Sequence, residues 1–321
     1  MPLIEPSTYR APWGFRNSWT NTIYPALFRK VRGVQYQRER MELPDGDFID
    51  IDWSRVGSSQ LAIVLHGLEG NATRPYVKGM VRAFNRAGWD ALGYNFRNCS
   101  GTPNRLLQSY HIGSTQDLSW LIRQLAAGLI YECIVLVGFS LGGNVVLKYL
   151  GEQADHLPAI VRAAIAFSVP VDVVNATHQI HKSCNRLYVW RFMQSMNAKI
   201  EQKRRQFPGQ VHQASRPARN FYEFDEWYTA PIHGFTSALD YWKRNSSIHF
   251  IAKISIPTLL VNAQDDPFLS PSCYPRQLAI AHSYFHLETP PHGGHVGFVS
   301  FGAQGEYWSE QRAVLFAQQN T

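Results

Sequence analysis

Cysteine is scarce in this 321-residue chain, and what there is carries no pattern. Cys99, Cys133, Cys184 and Cys273 are scattered without a C-x-x-C pair. That spacing argues against a zinc ribbon or a disulfide framework and for reduced thiols in the cytoplasm. Long hydrophobic runs are missing too, since no uninterrupted apolar stretch approaches the ~18 residues of a membrane span. The opening "MPLIEPSTYRAPWGF" lacks the apolar h-region of a secretory signal. No repeat, low-complexity tract or nucleic-acid motif occurs. His292 and His295 form an H-x-x-H pair with no third ligand in view, so no metal is expected.

Hydrophobic residues make up 45% of the chain and charged residues 17%, enough for one large core and an insertion. The net charge of +7 is unevenly spread. Between His178 and Asn220, Lys182, Arg186, Arg191, Lys199, Lys203, Arg204, Arg205, Arg216 and Arg219 face Glu201 alone. A solvated basic face is the plain reading, and weak contact with anionic lipid at a membrane surface is the sharper one.

Strand and helix signals alternate. Residues 36–53 read as two strands around the "PDGD" turn, and "LAIVLHG" follows as a buried strand. A helix with Thr73 as cap, Pro75 in its first turn and Gly88 as its stop shows apolar positions at Val77, Met80, Val81 and Phe84. "WDALGYNF" is a strand. Ser114 with Asp117 three residues on suggests a capping box for a helix that ends at Gly128. "CIVLVGF", "VRAAIAFSV" and "IPTLLVN" are continuous apolar runs, as expected of parallel strands covered on both faces. From Pro170 to about Ser247 the rhythm breaks, and "RLYVWRFMQSMNAKIEQKRRQ" reads as a helix. The prediction is a single domain, 1–321, built as a doubly wound, mostly parallel α/β sheet. Its core covers 36–170 and 248–321, an N-terminal extension covers 1–35, and a helical cap is inserted at 171–247.

The chemistry concentrates at "GFSLGGN", where a serine stands between glycines with a strand before it and a helix after it. Such a turn lifts Ser140 Oγ clear of the backbone in front of a helix N-terminus. Gly138 and Gly142 lie where a Cβ would collide as the turn tightens. Ser140 is therefore the candidate nucleophile. Two N–H donors for a tetrahedral oxygen are expected from Leu141 and, in "LHGLEG", from Leu68; His66 is expected to order that loop rather than react. An acid and a base should follow in that order. "NAQDDPFL" ends a strand and offers Asp266, with Asp265 as a loop-bracing neighbour. "PPHGGHVGF" offers His295, with His292 shaping the loop. Arg97 is expected to tie down its loop, and His233 to be a buried, hydrogen-bonded side chain.

At this point the sequence resembles the α/β-hydrolases, and more narrowly their YheT-type branch. That branch includes bacterial esterases, fungal medium-chain ethyl-ester synthases and animal phospholipase-like relatives. The resemblance is carried by "YPALFRK", "LPDGDFIDIDW", "LHGLEG", "NFRNCSGTPNRLLQSYHIGSTQDL", "GFSLGGN", "FDEWYTAPIHGF", "NAQDDPFL" and "GGHVGF". It implies an α/β-hydrolase fold and cofactor-free hydrolysis of short- to medium-chain carboxylic esters, with Ser140, Asp266 and His295 as the triad. It also implies a small-molecule acyl ester or lipid substrate. Acyl transfer to an alcohol and phospholipid hydrolysis use the same acyl-enzyme and stand as alternatives, and a non-catalytic binding protein on this scaffold is the third. The H-x-x-x-x-D acyltransferase signature is absent, because no histidine has Asp five residues on.

Overall fold

The computed structural model describes residues 2–302 and 304–321, so Met1 and Ala303 lie outside the described residues. Among the described residues nine strands form one sheet: β1 (Leu3–Ile4), β2 (Gln37–Glu42), β3 (Phe48–Ser54), β4 (Gln60–Leu65), β5 (Asp90–Tyr94), β6 (Cys133–Phe139), β7 (Val161–Phe167), β8 (Thr258–Val261) and β9 (Phe285–Glu288). Their order across the sheet is β1-β9-β8-β7-β6-β4-β5-β3-β2. β2 and β3 pair antiparallel, as do β3 and β5, and every other pairing is parallel. The edge strand β2 reads "QRERME", and its charges deter further pairing. Arg38 and Arg40 each make a bidentate ion pair with Asp52 and Asp50 of β3, which neutralises two buried carboxylates.

The helices are α1 (Ser18–Phe28), α2 (Pro75–Arg86), α3 (Gln116–Ala127), α4 (Leu141–Glu152), α5 (Val173–Ile180), α6 (Arg186–Gln206), α7 (Phe221–Phe224), α8 (Ala230–Ile232), α9 (Ala238–Asn245), α10 (Arg276–Ala281) and α11 (Trp308–Gln319). Strand alternation divides the core into two. Leu61, Ile63 and Leu65 face the layer of α3, α4 and α10, while Ala62 and Val64 face α2 and α11. A third apolar cluster belongs to the stretch between β7 and β8. Val189, Met193, Met196 and Ile200 of α6 meet Phe221, Phe224, Tyr228, Tyr241 and Trp242 there.

Two cap expectations are corrected. Arg74, not Thr73, precedes the first turn of α2 and makes no side-chain cap bond; Thr73 instead bonds Asn71. The capping box does not form at α3. Thr115 stands at the N-cap and sends its hydroxyl to Glu152, while Asp117 is drawn off by Arg97 at 2.6 Å. In both cases a competing side-chain partner outbids the local backbone donor. Two strands were not foreseen, β1 and β9. The N-terminal extension is joined to the core: β1 pairs with β9, and Ser7 Oγ donates to the buried Glu288 at 2.6 Å.

Candidate active site

All the singled-out loops leave the sheet at the carboxyl ends of its parallel strands, where open α/β sheets bind ligands. Ser140 follows β6 directly. Its backbone lies at φ 52°, ψ −117°, a region closed to most L residues. Such strain costs about 1–3 kcal/mol and persists only when the surroundings over-determine it. Here Ser140 N–H donates to Phe167 O at 2.8 Å, and Asn144 N–H donates to Ser140 O at 3.0 Å. The glycines make the turn sterically feasible: a Cβ on Gly138 would sit 2.6 Å from Gly142 O, and one on Gly142 would sit 2.5 Å from His66 O.

The structure brings Ser140, His295 and Asp266 into one hydrogen-bonded line. His295 Nε2 lies 3.0 Å from Ser140 Oγ, and His295 Nδ1 lies 2.9 Å and 3.1 Å from the two Asp266 oxygens. The Asp266 side chain is fully buried and also accepts from Phe268 N–H at 2.9 Å. The Phe268 ring packs against the imidazole with centroids 4.4 Å apart. Asp265 points elsewhere. It accepts from Gly294 N–H at 2.9 Å and lies 3.5 Å from His292 Nδ1, and burial raises its pKa.

Near Ser140, the Gly67–Leu68 segment comes close enough that a Cβ on Gly67 would be 3.2 Å from Ser140 Cβ. In that loop Gly67 N–H donates to Tyr76 OH, Glu69 N–H to Tyr110 OH and Gly70 N–H to Gly67 O. The Leu68 N–H is the one left over. Leu141 opens α4, so its N–H has no acceptor one turn back. His66 is fully buried, and burial pushes its pKa down to about 4. As the neutral ring it donates from Nδ1 to Gly67 O at 2.7 Å and accepts Phe96 N–H on Nε2 at 3.3 Å, which orders the loop. Arg97 pairs with Asp45, Asp47 and Asp117 and so ties down its loop. His233 has no side-chain hydrogen bond among the described residues. It packs against His111 with centroids 4.6 Å apart, and burial lowers its pKa to about 4. Among the described residues no His, Cys, Asp or Glu cluster could hold a metal ion, and no helix is long and apolar enough to cross a membrane.

Sequence reading missed the residues that hold the His295 loop. Thr22 of α1 accepts from His295 N–H at 2.9 Å, and Ser168 Oγ accepts from Val296 N–H at 2.9 Å. Asn21 accepts from Val299 N–H at 3.0 Å. The loop needs this support: Val296 lies at φ 61° and Phe298 at φ 44°, both unfavourable for side chains of that shape. We predict that Thr22→Val, similar in shape but without the acceptor, costs about 1 kcal/mol of stability by leaving the part-buried His295 N–H without its partner. Urea unfolding of the two proteins measures this, and an unchanged midpoint would show that the bond contributes nothing.

A serine on a strained strand-to-helix turn, under a mostly parallel sheet's carboxyl edge, defines an enzyme of the α/β-hydrolase class. Residues 62–300 match the α/β hydrolase fold family, and the chain belongs to it. It is 35% identical over 293 residues to YheT of Escherichia coli (strain K12), named as a candidate esterase, with 89% of this chain and 85% of that one covered. It is 24% identical to phospholipase ABHD3 of Homo sapiens, over 93% of this chain and 75% of that one. Among solved structures, esterase Pf2001 of Pyrococcus furiosus superposes with a TM-score of 0.59 at 15% identity, covering 91% and 97% of the two chains. That last likeness concerns the fold.

Proposed function

We propose that the protein is a serine carboxylic-ester hydrolase that works through an acyl-enzyme on Ser140. The observation that carries this reading is the unbroken run from Ser140 Oγ through His295 to the buried Asp266 carboxylate. His295 Nε2 takes the hydroxyl proton as Oγ bonds to the acyl carbon. Asp266 holds the proton on Nδ1 and stabilises the imidazolium. The carbonyl oxygen, now negative, accepts from Leu68 N–H and Leu141 N–H at the positive end of α4. The tetrahedral adduct then collapses, and the alcohol departs with the proton from Nε2. Water repeats the sequence to free the acid and restore Ser140. No step calls for a cofactor or a metal.

The substrate class is a short- to medium-chain acyl ester, a range that rests on the YheT-type resemblance. One feature favours lipid esters as a second reading. The outer side of α6 exposes Leu187 and Trp190 beside Arg186 and Arg191, neither of which has an ion-pair partner among the described residues. Basic and aromatic side chains together suit an anionic lipid surface. A chain-length series of p-nitrophenyl esters from acetate to palmitate, run with and without ethanol, separates the cases. We expect turnover to peak between butyrate and octanoate and the free acid to remain the main product. Ethyl ester as the main product would indicate acyl transfer, and activity confined to phospholipid vesicles would indicate a lipid hydrolase. No turnover of any ester would reject the proposal.

A further inference from the structure

The loop carrying the Leu68 N–H does not hold its own shape. Glu69, the next residue, lies at φ 54°, in the left-handed region that a side chain disfavours. Its carboxylate is almost wholly buried, with 9% of the side chain exposed. A buried, unpaired anion one residue from an oxyanion donor would oppose the charge that develops in the transition state.

Both problems are solved from outside the loop. The Tyr110 hydroxyl accepts Glu69 N–H at 2.9 Å and donates to Glu69 Oε1 at 2.8 Å, so one group grips both backbone and side chain. Arg74 donates to Glu69 O at 2.9 Å. The remaining partners come from α6. Lys199 Nζ lies 2.9 Å from Glu69 Oε1, and the Ser195 hydroxyl donates to Oε2. Ser195 and Lys199 stand four residues apart, on one face of the helix. Lys199 also sits 5.3 Å from the Tyr110 ring centroid and 3.3 Å from Cys99 Sγ, which fixes its ammonium over the loop. Burial pushes the Glu69 carboxyl upward, but the Lys199 charge and the hydrogen bonds outweigh it and hold the group below its usual range. The Gly67–Leu68 peptide is thus pinned at its start by Tyr76 and, just past its end, by Glu69.

From this geometry we infer that Glu69 and Lys199 are positioning residues for the Leu68 N–H, so that α6 of the inserted segment completes the oxyanion site. The inference rests on the reading of Ser140 as nucleophile. Helix α6 does more than shield the site. When it is seated, its ammonium neutralises Glu69 and aims the donor; when it is displaced, the loop keeps an uncompensated carboxylate beside the reacting centre.

The test uses Lys199→Met, Glu69→Gln and the double variant in the full chain, with hydrolysis of the preferred p-nitrophenyl ester and binding of an alkyl boronic acid, which forms a tetrahedral adduct on serine. Part of a donor's worth, about tenfold or more, is expected to go from kcat with KM within about twofold. Boronate affinity should fall in step, Lys199→Arg should restore most of it, and the double variant should fall no lower than the worse single, as expected of one coupled pair. Lys203 supplies the control, since it also ties α6 to the core through the carbonyls of Asn104 and Leu106 without touching the loop. Wild-type kcat and boronate affinity in Lys199→Met would overturn the inference. So would an equal kcat loss in folded Lys203→Met, which would assign the effect to α6 docking in general. If Lys199→Met does not fold, Glu69→Gln, which keeps the shape and both heteroatoms, decides on the same readouts. Activity retained in Ser140→Ala would instead sink the underlying reading.

Discussion

Ser140→Ala is expected to lower kcat by about 10⁶ and to abolish labelling by a fluorophosphonate. The hydroxyl's partner in the structure is His295 Nε2, so its loss strands no other donor. The backbone strain at φ 52° is the same for alanine as for serine. The variant should therefore fold and melt like the parent, and lost activity would report chemistry rather than collapse. What remains above the uncatalysed rate is the share of the two N–H donors and of substrate binding. Labelling that survives in Ser140→Ala would assign the reactive group to another residue.

Asp266→Asn carries the second large effect, a fall in kcat of about 10⁴. The argument concerns which nitrogen bears the proton. Asp266 Oδ1 accepts from Phe268 N–H, so the asparagine oxygen stays on that side and its NH₂ turns to His295 Nδ1. The ring must then accept on Nδ1 and carry its proton on Nε2, where it cannot take one from Ser140. Asp265→Asn should stay near the parent, because Asn keeps the oxygen that accepts from Gly294 N–H. Measuring kcat for both variants on one ester decides the assignment; the reverse order would exchange the roles of the two acids.

Legibility followed the range of the interaction. Ser140 could be read from its own pentapeptide because the Gly138 clash is local, with the helix that immediately follows; Gly142 instead meets the end of β4, far back in the chain. The buried strands were legible because a sheet covered on both faces needs continuous apolar runs, as in β6 and β7. Strand β9, "FHLE", alternates apolar and polar over only four residues, too short a stretch to mark a strand, and its pairing with β8 and β1 decides its state. Thr73 and Ser114 look like caps in isolation, but Asn71 and the Arg97–Asp117 pair redirect those side chains and their neighbours. The supports of the His295 loop were invisible for the same reason: Thr22 stands 273 positions away in the chain.

What the chain determined by itself was the alternation of strands and helices and the strained turn at residue 140, since each follows from patterning and sterics within a few residues; the order of serine, acid and histidine was legible as a motif order along the chain. Only the tertiary structure decided which groups meet. It set Asp266 against His295, put α1 beneath the histidine loop, and laid Lys199 of α6 against Glu69. Those outcomes depend on burial, which makes an unpaired charge or N–H costly and so selects partners by proximity in space rather than along the sequence.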